Sequence, residues 1–161
     1  MRKVKILLLL MIVCAGGACH ATDNTNSENL ISILTMSTDD ANQNQVTTLL
    51  GKPERVEESK KKSKWYYTNG SISLVIYWTN ATEKMEKFSF TSLSAKKNVW
   101  DNNASKKLRT GRTNVNQAIA ILGMPKDMLV KNGTQQMHYN YQSNVLRLFF
   151  RNRTLVDYTL Y

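Results

Sequence analysis

The chain has 161 residues, 22 Lys and Arg against 12 Asp and Glu, a formal charge of +10, 42% hydrophobic residues and two cysteines. That length is enough for one domain to bury an adequate core. Cys14 and Cys19 both lie near the start, so the body holds no disulfide, and with His20 and His138 as the only histidines it can assemble neither a zinc cluster nor a Cys–His pair.

Arg2, Lys3 and Lys5 precede the apolar run Ile6–Val13 and the small residues Ala15, Gly16, Gly17 and Ala18. A run this short falls well below the roughly 20 residues that a spanning helix needs, so residues 1–18 read as an export signal. Gly16-Gly17-Ala18-Cys19 is similar to a bacterial lipobox, which makes Cys19 the candidate lipidation site. The alternative is ordinary signal-peptidase cleavage near Ala18 or Ala21. Without the three cations of the signal, 19 basic residues face 12 acidic ones. Such a surface suits anionic lipid or an acidic protein, and it also serves solubility. Nucleic acid is not expected as a partner, because no binding motif accompanies the charge.

Residues 19–36 are polar and rich in Asn and Thr, a tether with a short amphipathic helix at Leu30, Ile31, Ile33 and Leu34. Ser37, Thr38 and Asp39 are expected to cap the next helix, whose stripe is Val46, Leu49 and Leu50. Gly51 and Pro53 end it, the first by tolerating a left-handed backbone and the second by being unable to continue a helix. Strands are expected at Lys64–Thr68, Ser71–Thr79 and Met85–Thr91, with Asn69-Gly70 as a tight turn. Residues 94–112 form a linker around Trp100. Thr113 then caps a helix carrying Ile119, Ile121 and Leu122, ended by Gly123 and Pro125. Further strands are expected at Gln136–Tyr141, Val145–Arg151 and Leu155–Tyr161.

The second series repeats the first at an offset of 72 residues. Asn44-Gln45-Val46-Thr47-Thr48-Leu49-Leu50-Gly51-Lys52-Pro53 aligns with Asn116-Gln117-Ala118-Ile119-Ala120-Ile121-Leu122-Gly123-Met124-Pro125. Without a gap, Tyr67 meets Tyr139, Leu74 meets Leu146 and Trp78 meets Phe150. A register held over about forty positions predicts one unit present twice, over residues 37–93 and 113–161. The expected fold class is α+β: two tandem units, each a helix plus an antiparallel three- or four-stranded meander, packed side by side.

A helix ending in Gln45-Val46-x-x-Leu49-Leu50-Gly51-x-Pro53, then Trp65-Tyr66-Tyr67, then Leu74–Trp78 resembles the SmpA/OmlA (BamE-like) family. Gly111-Arg112-Thr113 is similar to that family's Gly-x-Thr helix entry. The double arrangement resembles the secreted β-lactamase inhibitor proteins. The first resemblance implies a small outer-membrane lipoprotein. The second implies a concave sheet that grips an enzyme.

Alternation along the central strands supplies the site candidates. If Leu74, Ile76, Trp78, Leu146, Leu148 and Phe150 pack on the helices, then Val75, Tyr77, Arg147, Phe149 and Arg151 face outward. Tyr66 and His138 join them from neighbouring strands. Tyr, Phe and Arg are residue types that dominate protein-binding hot spots. Lys60, Lys61, Lys62 and Lys64 form a separate basic run, suited to anionic head groups or to plain solvation. No catalytic group, metal site or cofactor is expected. The leading reading is a non-catalytic, protein-binding lipoprotein of the bacterial envelope, anchored through Cys19 at the outer membrane and facing the periplasm. The alternative is a soluble exported inhibitor of a hydrolase such as a β-lactamase, periplasmic or secreted.

Overall fold

In a computed structural model, residues 22–69, 71–93, 102–141 and 144–161 are described. The candidate signal, Cys14, Cys19, Gly70 and Trp100 lie outside them. Helix α1 (Thr22–Leu34) precedes α2 (Gln43–Leu50) and strands β1 (Arg55–Glu58), β2 (Lys62–Asn69), β3 (Ile72–Thr79) and β4 (Lys84–Ser92). After α3 (Asn102–Ser105) and α4 (Val115–Leu122) come β5 (Asp127–Lys131), β6 (Thr134–Tyr141), β7 (Asn144–Arg151) and β8 (Thr154–Leu160).

The helix ends follow from local chemistry. The Asn42 side chain accepts the Gln45 N–H at 2.9 Å, while Gln45 Oε1 accepts the Asn42 N–H at 3.1 Å, a reciprocal capping box. Asn114 and Gln117 repeat it, with both bonds at 2.9 Å. The caps are therefore Asn42 and Asn114, not the Ser37–Asp39 stretch or Thr113. Thr113 instead turns its hydroxyl inward to accept the Arg109 N–H. At the other end Gly51 and Gly123 adopt φ of 78° and 79°, a backbone that only glycine holds cheaply. Their carbonyls accept Tyr67 Oη at 3.3 Å and Tyr139 Oη at 3.2 Å, so each helix end is tied to the strand beneath it.

The eight strands form one antiparallel sheet in chain order, β1 to β8. This corrects the expected fold class. The strands do not divide into two helix-plus-meander units packed side by side, because β4 pairs directly with β5, from Lys87↔Lys131 to Thr91↔Asp127. Strands β1 and β5 are additional to the expected strands, and β5 is the one that makes the sheet continuous. Its pairing removes two edges that would otherwise carry unpaired N–H and C=O groups.

One face of this sheet carries the core. Leu74, Ile76, Trp78, Phe88, Phe90, Met137, Tyr139, Leu148 and Phe150 are buried together with Val46 of α2 and Val115, Ala118 and Leu122 of α4. Trp65 packs against Trp78 with ring centroids 5.3 Å apart and the ring planes tilted by 59°. Helix α1 starts at Thr22, inside the stretch expected as a tether. Leu30, Ile33 and Leu34 bury its far end, and Asn29 Nδ2 donates to the Leu49 carbonyl at 2.9 Å.

Phe88 of β4 and Val130 of β5 are Cα partners at the seam, and both are buried. Phe88→Ala is expected to remove about 3–5 kcal/mol of stability. Because the core is continuous, unfolding in urea should remain a single transition, coincident by tryptophan fluorescence and circular dichroism. Two separated transitions would contradict a single sheet.

Candidate functional site

Opposed residues in an antiparallel sheet project to the same side, so the register sorts the outward face into rows. The middle row runs Tyr66, Val75, Ser89, Leu129, Gln136 and Phe149, one residue per strand from β2 to β7. Beside it runs a basic row of Lys64, Tyr77, Lys87, Lys131, Thr134 and Arg151. The row on its other flank is polar: Thr68, Ser73, Thr91, Asp127, His138 and Arg147, continued by Thr159 of β8. The four helices among the described residues do not cover these rows, because their buried residues belong to the cluster on the opposite face.

Two β-bulges shape the face. One falls between Tyr77 and Trp78 against β4, the other between Phe149 and Phe150 against β8. A bulge adds local twist and re-aims the neighbouring side chains. Tyr77 and Phe149, both partly exposed, therefore stand where the sheet bends.

The sequence-selected residues fall into two groups. Tyr66, Val75 and Tyr77 gather on β2 and β3, whereas His138, Arg147, Phe149 and Arg151 gather on β6 and β7. Tyr66 and Phe149 share a row but are five strands apart, roughly 24 Å. Leu129, Lys87 and Lys131 fill the ground between the groups. Short β5 gave little periodicity to read, and the bulge at Glu86 breaks alternation along β4, so the sequence offered no parity for these three. The basic run is also divided. Lys60 and Lys61 lie in the β1–β2 turn, while Lys62 and Lys64 project from β2 and meet carboxylates, Lys62 to Glu86 at 2.7 Å and Lys64 to Glu57 at 3.6 Å.

Near β1 the charges interlock. Tyr66 Oη donates to Glu57 Oε2 at 2.8 Å, Arg55 pairs with Glu57 at 3.0 Å, and the Arg55 guanidinium lies 3.9 Å from the Tyr66 ring centroid. The Tyr66 hydrogen bond, with Arg55 and Lys64 alongside, holds the Glu57 carboxyl below its ordinary range. The same bond pushes the Tyr66 phenol up. Lys87 Nζ sits 4.1 Å from the Tyr77 ring centroid.

Strands β6, β7 and β8 present a different chemistry. His138 Nε2, Arg147 Nε and Thr159 Oγ1 are neighbours across the sheet, buried and without a hydrogen-bond partner among the described residues. Burial, and then the Arg147 charge, lower the His138 pKa from its ordinary 6.5, while Asp127 opposes them. Among the described residues no group of three or more His, Cys, Asp or Glu is placed to hold a metal ion.

No family model and no curated protein matches the chain, so the expected SmpA/OmlA membership finds no counterpart there. Solved structures do match. One, described as a "putative beta-lactamase inhibitor protein" from Streptococcus mutans, aligns over 86% of this chain and 97% of its own at 13% identity and a TM-score of 0.56. This chain shares that fold. A DUF4309 family protein from Bacillus subtilis aligns over 83% of this chain and 92% of its own at 12% identity, but its TM-score is only 0.29.

The His138 arrangement has a consequence for stability. Its folded pKa lies below 6.5, so as the pH falls through 6.5 the unfolded chain takes up the proton first, and stability drops until the folded pKa is passed. His138→Gln should flatten that decline as the pH falls through and below 6.5, read as the urea midpoint across the range. A wild-type midpoint that is constant over this range would contradict the assignment.

Proposed function

We propose that this chain is an exported, non-catalytic protein-binding module whose uncovered sheet face blocks a hydrolase, a β-lactamase being the first candidate. The observation that carries this reading is the middle row. Tyr66, Val75, Leu129 and Phe149 lie on a sheet face that no helix among the described residues covers, flanked by Tyr77, Arg147 and Arg151. Apolar and aromatic residues placed so that a partner can desolvate them supply most of the energy of a protein interface, and surrounding polar groups set the register. The fold shared with the Streptococcus mutans protein supports the same reading, although a fold by itself does not license a function.

The test is inhibition. The exported protein is titrated against a panel of β-lactamases hydrolysing a chromogenic cephalosporin. Inhibition is expected, and Tyr77→Ala and Phe149→Ala are each expected to weaken it about tenfold or more, with little change in thermal midpoint. Hydrolysis that continues undiminished throughout the panel would reject the inhibitor reading. Variants that unfold instead would make Tyr77 and Phe149 structural.

Export by residues 1–18 and lipidation at Cys19 belong to the same proposal. Palmitate-analogue labelling that vanishes in Cys19→Ala is the expected result and would place the module on a membrane. A shortened, unlabelled product would make it a freely released inhibitor.

A further inference from the structure

Four cations of the outward face, Lys87, Lys131, Arg147 and Arg151, have no ion pair among the described residues. The carboxylates nearby are mostly engaged. Glu57 serves Arg55, Lys64 and the Tyr66 hydroxyl, Glu86 is held by Lys62, and Asp157 accepts the N–H of its neighbour Tyr158 at 2.8 Å. Moreover, Lys87 and Lys131 are Cα partners across the β4–β5 seam. Like charges directly opposite on one face repel, and the one carboxylate that acts on both lysines, Glu86, is already bound to Lys62. An anion laid across it would relieve the repulsion.

Building on the protein-binding reading above, we infer that the partner presents an acidic protein segment. Its carboxylates meet Lys87, Lys131 and Arg151 of the basic row, and its apolar side chains meet Tyr66, Val75, Leu129 and Phe149. The two rows are two residues apart along each strand, roughly 7 Å, and both run roughly 24 Å from β2 to β7. Parallel apolar and basic stripes at that spacing complement an amphipathic protein segment that is acidic along one flank. The evenly spaced charge of a nucleic-acid backbone offers nothing to the apolar stripe. Asp127 and the polar row on the far side disfavour an anionic bilayer, which would cover the whole face. A carboxylate that reaches Lys87 also covers the Tyr77 ring beneath it, and excluding water there strengthens the pair.

The experiment uses fluorescence anisotropy with the exported protein and a labelled peptide of alternating Glu and Phe, compared with the same peptide carrying Gln for every Glu. The Glu peptide should bind, and its affinity should fall as NaCl is raised from 0.1 M to 1 M, where the screening length shrinks from about 10 Å to about 3 Å. Lys87→Gln and Lys131→Gln should each weaken it about two- to fivefold. Either change should leave the thermal midpoint nearly unchanged, because the lost repulsion between the lysines is offset by the lost attraction to Glu86. Arg112→Gln, an exposed change away from the sheet, should have no effect.

Equal affinity for the Glu and Gln peptides, or binding of neither, would overturn the inference. So would an equal loss in Arg112→Gln, which would reduce the effect to net charge. Phosphatidylglycerol vesicles bound with the same Lys87 and Lys131 dependence would replace the acidic segment with a lipid surface. The outcomes also separate this inference from the inhibitor reading. β-Lactamase inhibition lost in Phe149→Ala but intact in Lys131→Gln rejects the acidic segment alone. Lysine-dependent binding of the Glu peptide without any inhibition rejects the inhibitor reading alone.

Discussion

The antiparallel pairing of β4 with β5 is the constraint on which the rest of the molecule depends. It joins strands that come before and after the stretch containing α3 and α4. Without it, each set of four strands would end in an open edge, and Phe88, Phe90, Met128 and Val130 would lose their neighbours across the seam. With it, the helices tie down one shared core. Each of α2 and α4 is held to the sheet at both ends, by an isolated bridge at its cap (Asn42↔Lys84, Asn114↔Thr154) and by a tyrosine hydroxyl at its glycine.

That arrangement makes the two faces of the sheet unequal. The helix side takes Trp78, Phe88, Phe90, Tyr139 and Phe150 out of water, which drives folding. The outward side carries Tyr, Val, Leu and Phe in one row and cations in the next, and no helix among the described residues covers it. Partly exposed apolar residues aligned in one row, here alternating with Ser89 and Gln136, are the kind of surface that a partner covers.

The outward face also departs from what stability alone would select. The opposed lysines at the central seam repel one another with only Glu86, itself bound to Lys62, acting on both, and three neighbouring polar atoms on β6, β7 and β8 lack hydrogen-bond partners among the described residues. Local conflicts of this kind collect where a protein serves something beyond its own fold. The repeated bulges at Tyr77 and Phe149 fit the same pattern, since they bend the sheet beside two of its outward aromatic side chains.

Much of the local structure could be read directly from the residues. Gly51-x-Pro53 and Gly123-x-Pro125 mark helix ends because a positive φ and a missing N–H act within one turn. Alternation along Leu74–Trp78 and Leu146–Phe150 sorts inward from outward because side chains reverse at every residue of a strand. The capping boxes are present as Asn42-x-x-Gln45 and Asn114-x-x-Gln117, but the Ser, Thr and Asp residues just before Asn42, and Thr113 just before Asn114, are equally good cap formers by residue type. The tertiary structure alone decided that eight strands form one sheet. Short strands such as Arg55–Glu58 and Asp127–Lys131 have little periodicity of their own and are strands only because a neighbour pairs with them. It alone set Lys87 opposite Lys131 and aligned Tyr66 with Phe149, because register across β4 and β5 comes from pairing between residues far apart in the chain. The bulge at Glu86 interrupts the alternation from which that register would have been inferred.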